Sequence, residues 1–184
     1  EEPATKQQRR LAKLLNSAVP SGVSEYGLAQ QLGGGFSVAE AKELIKQYSE
    51  RFPSVKAFTD GIVAEARSKG FTRTLLGRRR YFPDIHAAKL QERRYAERQA
   101  MNAPIQGTAA DMLKLAMIDV RKQLNGLPTR MLLNVHDELV FELKDGDDAL
   151  IEPIRSGMES ALPLNVPVEV DAKIGSDWNE MTPV

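Results

Sequence analysis

Two neighbouring carboxylates, Asp137 and Glu138, follow His136 between two apolar segments. The flanking segments, 130–135 and 139–143, are typical of strands and predict a hairpin with the three polar residues at its tip. A hairpin tip concentrates negative charge at an exposed point, and hard divalent cations such as Mg²⁺ take carboxylate oxygens together with substrate phosphates. The alternative is a plain turn, because Asp is favoured in turns. The residues alone leave both interpretations open.

A nucleophilic triad around His136 is excluded by what the sequence lacks. The chain contains no cysteine, which rules out disulfides, thiolate zinc sites and cysteine nucleophiles. It also contains no G-x-S-x-G element that would activate a serine. His86 is the only other histidine, so His136 alone is a weak candidate for a metal ligand.

Arg9 and Lys13 are spaced by four residues and therefore lie on one face of a predicted helix over residues 5–19. A planar guanidinium and a flexible ammonium on one face suit phosphate oxygens. The alternative is an ordinary solvated surface helix.

The charge of the chain is divided unevenly along its length. Residues 1–100 contain 18 Lys and Arg against 11 Asp and Glu, whereas residues 101–184 contain 7 against 14, so that the net charge is zero. A basic half beside an acidic half suggests a polyanionic partner on one side and a cation on the other. The alternative is a chance difference between two solvated surfaces.

Length and composition are those of an ordinary globular protein. The 184 residues, 42% hydrophobic and 27% charged, correspond to one domain or two small ones and exclude collagen-like and wholly disordered chains. No apolar run approaches the roughly 18 residues of a membrane span, so we expect no membrane partner. The first residues do not resemble a signal peptide, and the expected location is cytoplasmic.

Proline, glycine and helix-capping residues divide the chain into mostly helical elements followed by a small β-α-β region. This order of elements predicts an α+β fold class. A capping box at Ser37 and Glu40 starts one helix, Gly70 ends another, and Gly77 lies in a hairpin. Pro104 is expected to separate two helices. Helices are predicted over 5–19, 23–32, 37–48, 55–69, 89–101, 106–124 and 147–162, the hairpin over 71–82, and strands over 130–135, 139–143 and 166–174.

Four segments, in this order, resemble motifs of the family A DNA polymerases, the DNA polymerase I type. T-L-L-G-R-R-R-Y-F-P-D (74–84) is similar to the fingers hairpin of the family, and A-E-R-Q-A-M-N-A-P-I-Q-G-T-A-A-D (96–111) to the segment before the last palm motif. L-L-N-V-H-D-E-L-V-F-E (132–142) resembles the third palm motif, and I-G-S-D-W (174–178) the C-terminal end. Order and spacing agree over about 170 residues.

The resemblance implies a helical fingers subdomain followed by a partial antiparallel palm sheet with packed helices. We expect residues 1–100 to form the fingers-like region, with its hairpin near 71–82, and residues 101–184 to form the palm-like region. The implied activity is DNA-templated DNA synthesis by a two-metal Mg²⁺ mechanism, with primer–template DNA and a deoxynucleoside triphosphate (dNTP) as partners.

The resemblance also implies roles for individual residues. Asp137 matches a catalytic Mg²⁺ carboxylate, Glu138 is the adjacent carboxylate, and His136 is expected beside the primer terminus. Arg9 and Lys13 match the fingers helix that grips the incoming triphosphate.

Arg98, Asn102 and Gln106 match family residues that contact primer–template DNA, partly in the minor groove. Amides there meet acceptors common to all base pairs, which checks shape without reading sequence. Because Pro104 interrupts the periodicity, Gln106 is expected to leave the ridge formed by the other two.

The chain departs from the family pattern in the fingers helix. Ser17 stands where an aromatic residue normally packs near the incoming sugar and base, and Ser21 stands where a Tyr normally stacks at the template position. Each aromatic ring would contribute about 1–3 kcal/mol of stacking. Pro20 interrupts the end of the same helix.

The first palm motif of the family, with the other metal-binding aspartate, has no counterpart in the sequence. We therefore expect a polypeptide carrying that motif and the thumb as a partner, and expect the chain alone to be inactive. Two further interpretations stay open, a non-catalytic DNA-binding relic of a polymerase and a fragment of a larger protein.

Overall fold

The structure is a computed structural model of the chain and describes residues 4–184. The chain divides into two compact units, with the boundary between Gly107 and Thr108. The sequence prediction placed the boundary at residue 100. We call the two parts the N-terminal unit and the C-terminal unit, and their assignment to fingers and palm stays a prediction.

The N-terminal unit begins with three helices, α1 (Lys6–Ala18), α2 (Glu25–Leu32) and α3 (Val38–Arg51). The predicted capping box is confirmed, because the Ser37 hydroxyl accepts from the Glu40 backbone N–H and the Glu40 carboxylate accepts from the Ser37 backbone N–H. The apolar faces of the three helices meet in one cluster. Its buried members are Ala18, Leu28, Ala29 and Ala41.

Helix α4 (Pro53–Lys69) leads directly into a hairpin of β1 (Phe71–Arg73) and β2 (Arg79–Tyr81). Gly70 ends α4 in the left-handed region at φ 76°, as its predicted C-cap role requires. The hairpin is antiparallel, and a 3₁₀ turn over Pro83–His86 follows it.

The predicted break between two helices at Pro104 is wrong. A single helix, α5, runs over Leu90–Gln123 with Pro104 inside it. An interior proline removes one helical hydrogen bond and costs about 3 kcal/mol, so packing must compensate. Ala100 and Ala103 are buried beside it and pack in a cluster with Ala66 and Phe82.

The C-terminal unit contains the end of α5, an antiparallel pair of β3 (Arg130–Val135) and β4 (Glu138–Glu142), a 3₁₀ turn (Asp148–Leu150) and α6 (Ile151–Glu159). A small pair of β5 (Lys173–Gly175) and β6 (Met181–Pro183) follows. The core of the unit is a cluster of Val120, Leu124 and Ile154, with Met131 and Phe141 packed against it.

The strand predicted over 166–174 is wrong except for its last two residues. Only Lys173–Gly175 is a strand, because an extended segment needs a partner for its backbone groups. The backbone N–H of Val170 donates instead to the Glu159 carboxylate, 2.9 Å away, and Pro167 has no N–H to donate. The alternation of apolar residues over 166–174 therefore does not correspond to a strand, apart from its last two residues.

The predicted α+β class is confirmed by this order of helices and short antiparallel strand pairs. Within residues 4–184, none of the helices combines the length and the apolar character that crossing a membrane requires.

The capping box makes stability depend on pH. Hydrogen bonds from the Ser37 backbone N–H and hydroxyl hold the pKa of Glu40 below its ordinary value of 4.5. A lowered pKa in the folded state gives stability that is present above the unfolded-state pKa and lost as pH falls through the folded-state pKa. We expect Glu40→Ala to lower the melting temperature relative to the parent chain at pH 7, and the difference to shrink below pH 4.5. A pH-independent difference in thermal melts would contradict this.

Candidate functional site

The His136–Asp137 turn joins β3 to β4 as a two-residue hairpin loop. Glu138 is already the first residue of β4 and pairs with Val135, so the loop is one residue shorter than the sequence predicted. His136 has φ 57° and is the one non-glycine residue with positive φ among residues 4–184. Tight hairpins require this left-handed backbone, which costs a non-glycine residue of the order of 1 kcal/mol.

A side chain that the sequence analysis did not single out supports this turn. The Asn134 amide nitrogen donates to the backbone oxygens of His136 and Glu138, 3.2 Å from each. Two hydrogen bonds from one side chain fix the path of the backbone through Asp137. The signal that could have revealed Asn134 is its type, because a short amide beside a turn commonly binds nearby backbone groups.

A β-bulge in β3 puts Val135, the partner of Glu138, on the face opposite Met131. The register shifts between Met131 and Leu133, so Leu132 is an extra residue without a partner. Met131 packs against the core cluster of the C-terminal unit. Glu138 alternates with Leu139 along β4 and lies on the face opposite Phe141. The side chains of His136, Asp137 and Glu138 are all exposed.

The donor set at this turn fits a hard cation only in part. Asp137 and Glu138 supply carboxylate oxygens, the ligands that Mg²⁺ prefers. Over residues 4–184 no group of three or more His, Cys, Asp or Glu side chains lies close enough to hold a metal ion. The turn therefore offers two carboxylates and needs further ligands from water, substrate or another segment.

The basic face of α1 is arranged as its spacing predicts. Arg9 and Lys13 are exposed one helical turn apart. With Arg10, Asn16 and Ser17 they line an open surface depression along the helix. This face can bind anionic oxygens without displacing any packed residue.

Asn102 ties α5 to the segment that follows α1. Its amide nitrogen donates to the Arg98 backbone oxygen at 2.8 Å and to the Ser21 backbone oxygen at 3.2 Å. The Ser21 hydroxyl in turn donates to the Ser17 backbone oxygen at 2.8 Å. Asn102 therefore has a structural contact in addition to the DNA contact that the sequence analysis predicts for it.

A close backbone approach reinforces the same contact. Gly22 has φ 76°, and a Cβ at this position would lie 2.4 Å from the terminal methyl of Met101. The positive φ favours glycine, and a larger residue would also require the flexible Met101 side chain to move. A groove opens beside this contact and is lined by Ser17, Ser21, Ser24, Gln31 and Arg98.

Continuity of α5 decides the phase of its polar residues. Arg98, Asn102 and Gln106 occupy one uninterrupted helix at steps of four, so neighbouring members differ by about 40° around the axis. The expectation that Gln106 leaves this ridge is therefore wrong. Gln106 is exposed, and the Arg98 guanidinium lies 5.8 Å from the ring centre of Tyr95.

The predicted site residues fall into two groups by unit. The N-terminal unit brings Arg98 and Asn102 beside Ser21. The C-terminal unit carries the His136–Asp137 turn and Glu138. The N-terminal group consists of Arg9, Lys13, Arg98, Asn102 and Gln106.

Comparison with known proteins gives consistent results across sequence and structure. The model of DNA polymerase family A matches residues 1–180. DNA polymerase I of Bacillus caldotenax is 47% identical over 181 residues, and that of Mycobacterium tuberculosis is 45% identical over 181 residues. Each match covers 97% of this chain and 20% of the relative, so the chain spans about a fifth of these relatives' length.

A solved structure is similar to the chain along most of its length. The POL domain of Pol1 from M. smegmatis, in complex with DNA primer-template and dNTP, matches with a TM-score of 0.84 and 46% identity. The match covers 90% of this chain and 29% of that one.

The left-handed backbone at position 136 predicts the effect of one substitution. Glycine adopts φ 57° without strain, so we expect His136→Gly to leave the free energy of unfolding unchanged or to raise it by up to about 1 kcal/mol. Asn134→Ala, which removes both hydrogen bonds to the turn, should lower it by about 1 kcal/mol. Urea unfolding measures both. A clear loss of stability in His136→Gly would mean that the imidazole stabilises the turn.

Proposed function

The chain belongs to DNA polymerase family A, and on this premise we propose that it forms part of the site of DNA-templated DNA synthesis. In this reaction a primer 3′-hydroxyl attacks the α-phosphate of a dNTP and pyrophosphate leaves. The proposed partners are primer–template DNA and the dNTP. The observation that carries the proposal is the exposed carboxylate pair at a strained, braced turn, in a chain with this family relationship.

Asp137 and Glu138 are the residues of this chain that would hold Mg²⁺. Their exposed carboxylates supply the oxygen ligands for such an ion, and the remaining ligands would come from the substrate phosphates and another protein segment. A bound divalent ion neutralises charge on the reacting phosphate and favours ionisation of the hydroxyl. His136, which precedes this pair, is proposed to lie beside the primer terminus.

Arg9 and Lys13 are proposed to bind the triphosphate. Both are exposed on one face of α1, where a guanidinium fork and an ammonium can bind phosphate oxygens. Because they lie one helical turn apart, both cations can reach the oxygens of one triphosphate.

Arg98, Asn102 and Gln106 are proposed to contact primer–template DNA. Their common ridge on α5 supports this role, since polar groups along one side of a helix can contact a groove of the duplex. Binding that rests on phosphate contacts should weaken steeply as salt rises.

The rest of the site is proposed to come from a segment outside the matched fifth of the family's length, with the first palm motif and its aspartate. The second candidate function is a non-catalytic DNA-binding relic of a polymerase. The observation that favours it is that Ser17 and Ser21 line the groove at positions where the resemblance implies aromatic residues.

A chimeric polymerase tests the proposal. We would replace the matching segment of Bacillus caldotenax DNA polymerase I by this chain and measure primer extension with Mg²⁺. We expect extension, and expect Asp137→Asn to reduce its rate by at least about 100-fold because a ligand carboxylate is lost. Glu142→Gln, an exposed acid at the other end of β4, is the matched control and should leave the rate unchanged.

The same chimera separates the two candidate functions. A folded chimera that binds primer–template DNA but does not extend it would contradict the catalytic proposal and support the relic. Activity that appears only after Ser17→Phe and Ser21→Tyr would assign the defect to the lost aromatic rings, each of which contributes about 1–3 kcal/mol of stacking. Activity that survives Asp137→Asn would contradict the assignment of Asp137.

A further inference from the structure

The connection between α5 and β3 contains the one Asn-Gly pair of the sequence, Asn125 and Gly126. The Leu127 backbone N–H donates to the Leu124 backbone oxygen at 3.1 Å, which closes a four-residue turn with Asn125 and Gly126 at its centre. Gly126 has φ 83°, a left-handed conformation that suits glycine as the third residue of a turn. The proposed site uses neither of these two residues.

The backbone nitrogen of Gly126 is placed to react with the side chain that precedes it. Within residues 4–184, no group accepts a hydrogen bond from this N–H, and none is hydrogen-bonded to the Asn125 side-chain amide. Both residues are exposed, and nothing lies within 4 Å of the point where a Cβ of residue 126 would be. The turn therefore combines a nucleophilic nitrogen, an amide carbon and the space in which the two can form a ring.

Two other asparagines of the chain lack this combination. The Asn102 side chain donates to two backbone oxygens, and the residue that follows it lies inside α5. The Asn134 side chain also donates to two backbone oxygens, and it is followed by Val135, a β-branched residue paired within the hairpin. These side chains would have to break their hydrogen bonds before they could approach the next backbone nitrogen. Asn125 has no such bonds to break.

We propose that Asn125 is a site of spontaneous deamidation. The Gly126 nitrogen forms a bond to Cγ of Asn125, the bond between Cγ and Nδ2 breaks, and the side-chain nitrogen leaves as ammonia with the proton of the Gly126 N–H. Water then opens the resulting succinimide ring at either carbonyl, which yields aspartate or isoaspartate. Both products carry a negative charge that asparagine lacks. The reaction needs no polymerase site, so it is independent of the proposed function.

Isoaspartate in this turn has a structural consequence. Its main chain passes through the former side-chain carbon, so the connection becomes longer by one methylene group. Leu124 and Thr129, on either side of the pair, are 2% and 1% exposed, and the added length must be absorbed between these two packed residues. We expect the isoaspartate product to melt about 2–4 °C below the parent chain, the shift that a small loss of stability causes in a chain of this size.

Mass spectrometry of the 184-residue chain during incubation at pH 7 and at pH 9 tests the proposal. We expect a mass gain of about 1 Da, located by fragmentation to Asn125 in the tryptic peptide 123–130. The rate should rise at least about tenfold between the two pH values, because the attacking nitrogen must lose its proton. The folded chain should react within about tenfold of the rate of the free peptide 123–130, since an exposed turn gives little protection.

Two variants and a second host separate this site from general ageing. Asn125→Gln, whose ring would be larger and would close more slowly, should abolish the mass gain at position 125. Asn165→Gln removes an exposed asparagine that precedes the β-branched Val166 and should leave the rate unchanged. The same measurement on the chimera keeps the test decisive if the chain alone is unstable.

The product, separated from the parent chain by its added charge, is then used for thermal melts. An unmodified Asn125 in the incubated protein would overturn the proposal, and so would a folded protein that reacts more than about 100-fold slower than the free peptide. An isoaspartate product that melts like the parent chain would overturn the inferred strain in the connection.

Discussion

Small side chains along α5 allow that helix to lie close to its neighbours in the N-terminal unit, and the arrangement of the polar groups follows from this packing. Ala96, Ala100 and Ala103 are buried and form a cluster with Phe82 and Ile85, at the end of the hairpin. Close packing gains dispersion and removes apolar surface from water, which offsets the hydrogen bond that Pro104 cannot make. A helix that broke at Pro104 would place Gln106 out of line with Arg98.

The same helix determines where the segment after α1 can lie. Asn102 holds the Ser21 backbone oxygen, and Met101 fills the space in which any side chain at position 22 would have to fit. Arg9 and Lys13 precede this anchored segment on α1, so their face is fixed relative to Arg98 within one compact unit. Ser17 and Ser21 line this groove, and the Ser21 hydroxyl donates to the Ser17 backbone oxygen. The positions of Arg9 and Lys13 and of the groove therefore depend on one packing interaction.

Local physical rules predicted much of the fold correctly. The capping box at Ser37 and the glycine C-cap at Gly70 depend only on residues within one turn, so their signals are complete in the sequence. The prediction failed at Pro104 and over residues 166–174 for a common reason. In both places local propensity or alternation was overridden by tertiary packing, in α5 by buried alanines and after α6 by the Glu159 carboxylate that holds the Val170 N–H.

The sequence by itself determined the residue types, their order and the family, because the order and spacing of four motifs over about 170 residues are properties of the chain alone. It also determined that the carboxylates at 137 and 138 follow a strand, since apolar runs on both sides of three polar residues predict a hairpin. Only the tertiary structure decided that His136 takes a left-handed backbone held by Asn134, and that Arg73 and Arg79 share one face of the β1–β2 hairpin with Phe71. Backbone strain, strand register and ring contacts depend on which distant atoms meet, and packing decides that.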